Sequence, residues 1–301
     1  MSAIPDPAYA LTPSGNLRRR LLVSRICVGG AVAAAAIAVA VLVILVYYVL
    51  KQGISVISFS FFTEGLQTPL PTDTHPVGGI APALVGTIIM VLFATAIALP
   101  IGVLTALYLS EFAGPRTNQV VRLMLDLMAG LPTIISGIFI AVLITNSLGE
   151  SALAAGVALS IIEVPLIARA SLESITRVPD TMREAADALG VARWRSILGV
   201  ILPTAASGIV TATILAVARA AGETAPLLFT TAVFNANGGV SVNPLTSLAS
   251  VPLLIFQRLE LGYPSSIAQA WGLAFTLMIV ILAANIGARL WLRRSERKRG
   301  V

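Results

Sequence analysis

Long uncharged runs dominate the chain, and charged residues fall between them rather than within them. Residues 26–50 carry no charge and are bounded by Arg25 and Lys51. A helix that crosses a bilayer needs about 20 apolar residues, so this run predicts a span. It exceeds the core of about 7–15 residues in a cleaved leader and reads as a retained anchor. The uncharged run after His75 predicts a helix over about 80–109, with Pro100 as a kink point. Residues 127–148, between Asp126 and Glu150, give a third span, with Asp126 as a helix-start residue stabilised by the dipole. Residues 151–168 give a fourth span with Glu163 inside it, 197–218 a fifth and 264–288 a sixth. The stretch LTSLASVPLLIF, residues 245–256, is too short to span and reads as an interfacial or re-entrant segment. Before it, NANGGVSVNP is loop punctuation.

Composition supports an all-α membrane protein with six transmembrane helices. The 301 residues are 57% hydrophobic and 11% charged, with a mean hydropathy of +0.92, whereas soluble domains carry about 25% charge. Six spans put both termini on one side. With that topology, seventeen of the twenty Lys and Arg residues lie on the side of the termini, leaving only Lys51, Arg219 and Arg258. The positive-inside rule makes the crowded side cytoplasmic. Basicity is therefore a topology signal and does not point to nucleic acid. The division expected is a tail over 1–25, an anchor over 26–50, an external loop over 51–79, a core over 80–290 with a cytoplasmic loop over 169–196, and a basic tail over 291–301. One cysteine, Cys27, allows no internal disulfide. The one histidine, His75, sits in a Pro/Thr-rich loop and reads as solvated. No metal or cofactor is expected.

Two charges break the pattern. Arg219 and Glu223 are the only charged residues between 196 and 257. Each costs about 2.5–3.5 kcal/mol at a helix centre. Their i,i+4 spacing lets them face each other. Three readings follow: a self-neutralising structural pair, a pair at the outer interface, or the lining of an anion pathway. Arginine suits the third, because its planar fork donates paired hydrogen bonds to an oxyanion. Arg169 and Glu173 repeat the spacing at the inner end of the fourth span, as a route or gate or as a solvated pair. Glu163 either accepts a hydrogen bond from a neighbouring helix or faces the pathway.

Between the fourth and fifth spans, Thr181 followed by Glu184 fits a capping box, and Gly190 suits the left-handed residue past a helix end. The predicted helix over 182–189 is too short to stand alone in water. Its Ala185, Ala186 and Ala188 allow close approach to another surface. The residues alone fit either a partner-docking helix or a connector lying on the membrane.

The pattern formed by Glu184, Ala185, Ala186, Gly190, Leu202 and Pro203 resembles the cytoplasmic loop of permease subunits of bacterial ABC importers, with Val200 where that family usually has Ile. With GGIAPALVGTIIMVLFATAIALPIGVLTALYLSEF and ARAAGETAPLL, the chain over about 78–290 is similar to the PstA-type permeases of phosphate importers. The resemblance implies the type I ABC importer permease fold, an N-terminal helix plus a five-helix core, in a bacterial inner membrane. It implies a coupling helix at 181–195 seated on a separate ATPase dimer (PstB-type), a second permease (PstC-type), and an external phosphate-binding protein (PstS-type). It also implies pathway roles for Arg219, Glu223, Arg169 and Glu173. The chain has no G-x-x-x-x-G-K-[ST] segment, so an enzyme activity of its own is not expected. Another oxyanion, sulfate or molybdate, is the alternative cargo. An intramembrane enzyme lacks His-rich, Cys-rich or paired-Asp features in the spans, and a secondary carrier lacks evident inverted repeats.

Overall fold

The computed structural model describes residues 17–233 and 239–299, with side chains from 19 to 290 over those segments. The first sixteen residues of the expected tail, part of the NANGG loop and most basic side chains of the C-terminal tail lie outside the described residues. All regular structure among the described residues is helical. The chain forms two compact units, Met1–Lys51 and Gln52–Val301.

The first unit is essentially α1 (Leu17–Gly53), apolar on every face from 26 to 50. Lys51 Nζ lies 6.0 Å above the Tyr47 ring, which meets Tyr48 edge to face. Amphipathic aromatics beside a lysine are the composition of a membrane–water interface.

The second unit contains α2 (Phe59–Thr63), α3 (Ala81–Glu111), α4 (Pro115–Gly130), α5 (Thr133–Leu148), α6 (Ala152–Thr176), α7 (Asp180–Ala188), α8 (Arg193–Ala220), α9 (Val251–Leu261) and α10 (Pro264–Arg299). Helices α1, α3, α6, α8 and α10 are long and apolar enough to cross a membrane, and α4 with α5, bent by 93°, forms either a sixth, broken span or a re-entrant loop. The protein is thus an all-helical, multi-pass membrane protein.

Small residues set how closely the helices approach. Ala94, Ala98 and Ala106 of α3 are fully buried, as are Ala158, Ile167 and Ala168 of α6. A Cβ on Gly102 would lie 2.8 Å from Ile167 Cγ2, and one on Gly208 of α8 would lie 2.2 Å from Ser174 Oγ of α6. In hydrocarbon there is no hydrophobic force between helices, so such close contact is the main source of cohesion.

At the α6 start, a return segment covers the helix end. Ser151 and Ala152 donate backbone N–H bonds to Thr230 O and Thr246 O at 3.0 Å each, and Leu153 donates to Pro244 O at 2.9 Å. Ser151 Oγ accepts from Ala154 N. These bonds satisfy donors that would otherwise be orphaned. The segment then forms α9, whose eleven residues reach only about 17 Å; it is too short to span, as expected. Arg258 of α9 is fully buried and donates to Gln67 O at 2.6 Å. Burial lowers its guanidinium to about 10, still a cation at neutral pH.

Four expectations change. The fourth span runs to Thr176, so residues 169–176 of the predicted cytoplasmic loop belong to α6. The third span is not a straight helix over 127–148: α4 and α5 are bent 93° at Leu131–Pro132. Asp126 therefore lies in the last turns of α4, not at a helix start. The capping box does not form, because Pro179 turns the chain into α7 and Thr181 falls inside its first turn, behind Asp180.

Gly86 offers the sharpest test of this packing, since a Cβ there would lie 2.1 Å from Ala249 O, a backbone atom that cannot rotate away. Gly86→Ala is expected to lower stability by about 1–3 kcal/mol. Gly287→Ala, inside α10 where a Cβ meets nothing within 4 Å, is expected to keep or slightly raise stability, by up to about 1 kcal/mol. Thermal unfolding of the two variants in detergent makes the comparison.

Candidate functional site: a cavity at a broken helix

The break between α4 and α5 has a local cause. A residue before proline is pushed out of the helical region, and Leu131 is extended, with φ −66° and ψ 135°. Pro132 then starts α5 without any side-chain cap. Gly137 lets α5 lie against the turn at Ala225–Phe229, where a Cβ would come within 2.6 Å of Pro226 Cα.

Beneath the break lies a cavity of about 280 Å³. Leu131 and Pro132 line it at the break, Ser136 and Phe139 on α5, Ile161 and Leu166 on α6, and Arg219 on α8. Its α6 wall lies roughly 14–21 Å from the start of a helix about 38 Å long, so the cavity sits near mid-span.

Arg219 is the one charged residue lining the cavity. It occupies the last turn of α8, and its side chain is 52% exposed, whereas that of Glu223 is 17% exposed. Gly222 N donates to Arg219 O and Glu223 N to Ala220 O, folding the GETAP stretch back over the helix end. The two charges meet through Nε and Oε1 at 3.4 Å. Among the described residues no hydrogen bond engages the terminal guanidinium nitrogens. The fork thus has a carboxylate behind it and free donors in front.

The other candidates separate. Glu163 is fully buried and accepts a hydrogen bond from Thr95 Oγ1 of α3 at 3.0 Å. It faces α3, whereas its neighbours Ile161 and Ile162 face the cavity. Arg169 and Glu173 do not pair with each other. Arg169 pairs with Asp126 of α4 and donates to Leu125 O at 2.9 Å, while Glu173 pairs with Arg177. Spacing permitted the first pairing, but a partner from another helix prevails. Both residues still line one polar cleft with Arg122 and Thr176.

At the same end of the bundle, α7 exposes Met182, Glu184 and Ala185 and buries Ala186, and Leu189 is exposed just past its end. Gly190 follows it with φ +66°, a conformation that glycine adopts without cost. Leu202 and Pro203 lie on α8 after a π-helical turn at Ile197–Ile201. The sequence reading missed one residue here. Glu111, the last residue of α3, accepts an ion pair from Arg183 of α7, and its backbone oxygen accepts from Arg193. An isolated acid at the end of an apolar run carries no local sign of such a role.

Several helices long and apolar enough to cross a membrane, with a bent pair beside a cavity lined by one arginine, define a multi-pass membrane protein. The sequence model of the family described as "Binding-protein-dependent transport system inner membrane component" matches residues 98–300, and the chain belongs to that family. It is 34% identical over 250 residues to the phosphate transport system permease protein PstA 1 of Mycobacterium tuberculosis, covering 82% of this chain and 81% of the relative. Against the phosphate transport system permease protein PstA of Xylella fastidiosa it is 36% identical over 282 residues, covering 93% and 96%. Among solved structures, the inward-facing MetNI methionine ABC transporter matches with a TM-score of 0.55 at 20% identity, over 72% of this chain and 94% of that one. A bacterial ABC transporter that imports the acidic polysaccharide alginate matches with a TM-score of 0.55 at 16% identity, over 91% and 97%. The fold is that of ABC importer permeases.

Solvent access to the cavity is directly measurable. In a Cys27→Ser background, Ser136→Cys is expected to react with a small water-soluble thiol reagent about tenfold faster than Ile167→Cys, which is fully buried on α6. Equal rates for the two would mean that water does not reach the cavity.

Proposed function

We propose that this chain is the PstA-type permease subunit of an ATP-driven phosphate importer, with Arg219 in the anion's path. The observation that carries the reading is the free front of the Arg219 guanidinium in a mid-span cavity, on a chain 34–36% identical to proteins named as phosphate permeases. In this reading both termini are cytoplasmic, in a bacterial inner membrane. A PstC-type permease completes the pathway, a PstS-type binding protein delivers the anion from outside, and a PstB-type ATPase dimer seats on α7.

The chemistry follows from the residues. A planar guanidinium gives two parallel hydrogen bonds to phosphate oxygens at low local dielectric. Glu223 orients the fork from behind when the path is empty. Phosphate near neutral pH retains a proton that a carboxylate can accept, whereas sulfate has none, so the same pair favours phosphate. Arg169, Glu173 and Arg122 line the inner cleft, where the anion leaves toward the cytoplasm. Glu163 braces α6 on α3 behind the cavity wall. At the docking face, Glu184, Ala185 and Ala186 form the contact helix, Gly190 sets the exit turn, and Leu202 and Pro203 start the membrane run of α8. ATP-driven closure of the ATPase moves α7 and switches the permease pair outward, and hydrolysis resets the inward state.

Phosphate uptake by membrane vesicles carrying the full complex, with sulfate as competitor, tests the cargo. Arg219→Gln is expected to cut uptake at least about tenfold with the complex assembled, the loss of a charge-assisted bidentate contact. Undiminished uptake at low phosphate would remove Arg219 from the path, and inhibition by sulfate equal to that by phosphate would reassign the cargo. For docking, Gly190→Val forces a side chain into a left-handed turn. It is expected to reduce ATPase co-purification without changing the amount of permease in the membrane.

A further inference from the structure

Four chain segments meet at Glu111. It ends α3, and its side chain is 7% exposed. Arg183 reaches it from the middle of α7, with a side chain 21% exposed, and its Nη2 also donates to Ile175 O in the last turn of α6 at 3.0 Å. Arg193, the first residue of α8, donates to Glu111 O and stacks on the neighbouring Phe112 ring at 5.0 Å. Two arginines therefore bind the ends of α3 and α6, where helix carbonyls concentrate negative potential. By contrast, α7 itself is nine residues long and buries only Ala186. A helix that short has little stability of its own, so its hold on the bundle rests on Arg183.

We propose that Glu111 is a positioning residue for coupling, a clamp that delivers any displacement of α7 to α3 and α6. The proposal rests on the reading of α7 as the ATPase contact. A push on a loosely tethered helix would be absorbed by local bending. With Arg183 held between a carboxylate on α3 and a carbonyl on α6, the same push moves two helices that are themselves locked together at Gly102 and Ile167. Glu111 lies outside the docking motif, so its loss weakens transmission without removing any contact surface.

The test uses the full complex in proteoliposomes, measuring ATP hydrolysed per phosphate imported. Glu111→Gln keeps the shape, removes the charge and leaves the backbone bond to Arg193. It is expected to leave ATPase co-purification and basal hydrolysis within twofold of the parent while uptake falls at least tenfold, raising the ratio about tenfold. Arg183→Lys, which keeps the charge and can retain one of the two contacts, is expected to fall between. A ratio within twofold of the parent in Glu111→Gln overturns the proposal. Loss of ATPase co-purification in both variants also overturns it, making the contact a folding element. If the parent permease pair fails to hold an ATPase at all, the docking reading falls instead.

Discussion

A polypeptide in hydrocarbon has no water to satisfy its N–H and C=O groups, so a break in a spanning helix survives only where protein or a wetted cavity covers it. In this protein the break at Leu131–Pro132 faces inward, roofed by α5 and walled by α6. That placement makes Arg219 affordable. A guanidinium on the lipid face would be driven to the interface, but facing a cavity inside the protein, with Glu223 at its back, it stays at the end of α8. Break, cavity and cation form one solution to one constraint.

The two ends of the bundle are secured in different ways. At the α6 start, neutral hydrogen bonds from Ser151 and Ala152 join α6 to the return segment, Thr231 ties that segment to Leu248, Gln269 of α10 donates to Val77 O, and Arg258 is sealed inside. Such a lattice is rigid and insensitive to salt. At the other end an apolar core that includes Leu109, Leu125, Leu172 and Ile175 is joined by ion pairs between helices, Arg183 with Glu111 and Arg169 with Asp126. Arg183 ties α7 to α3 and α6, and Arg169 ties α6 to α4, so a displacement at this end passes from helix to helix through charged side chains.

Much of the crossing pattern was legible in the sequence, because the cost of charge in hydrocarbon writes each span as an uncharged run. The same averaging hid the broken span. Residues 127–148 are uncharged throughout, yet the chain leaves the helix at the Gly130-Leu131-Pro132 triplet, whereas α3 and α6 run on through Pro100 and Pro165. Local spacing also misled at Arg169, where i,i+4 geometry offered Glu173 but Asp126 of α4 was the partner. Thr181 matched a cap by spacing, though Pro179 had already fixed the helix entry. Arg219 and Glu223 were recognisable because nothing else charged surrounds them. Glu111 was not, since its importance comes from arginines 72 and 82 residues further on.

Transmission across the protein has a geometric basis in how the long helices share their contacts. The Asp126–Arg169 pair fastens the broken span to α6, and Gly102 fastens α3 to α6. The cavity wall formed by α4, α5 and α6 therefore moves with α3. Arg219 belongs to α8, which packs tightly against α6 where Gly208 meets Ser174. Arg219 lies eleven residues beyond Gly208, about 17 Å along the helix, and Arg193 lies fifteen residues before it, about 22 Å. A rotation of α8 about that contact therefore moves its two ends in opposite directions. On the proposed reading, one seam between α8 and the α3–α6 body runs from the Glu111 clamp to the anion cavity, and displacement of α8 at one end is mechanically linked to displacement at the other.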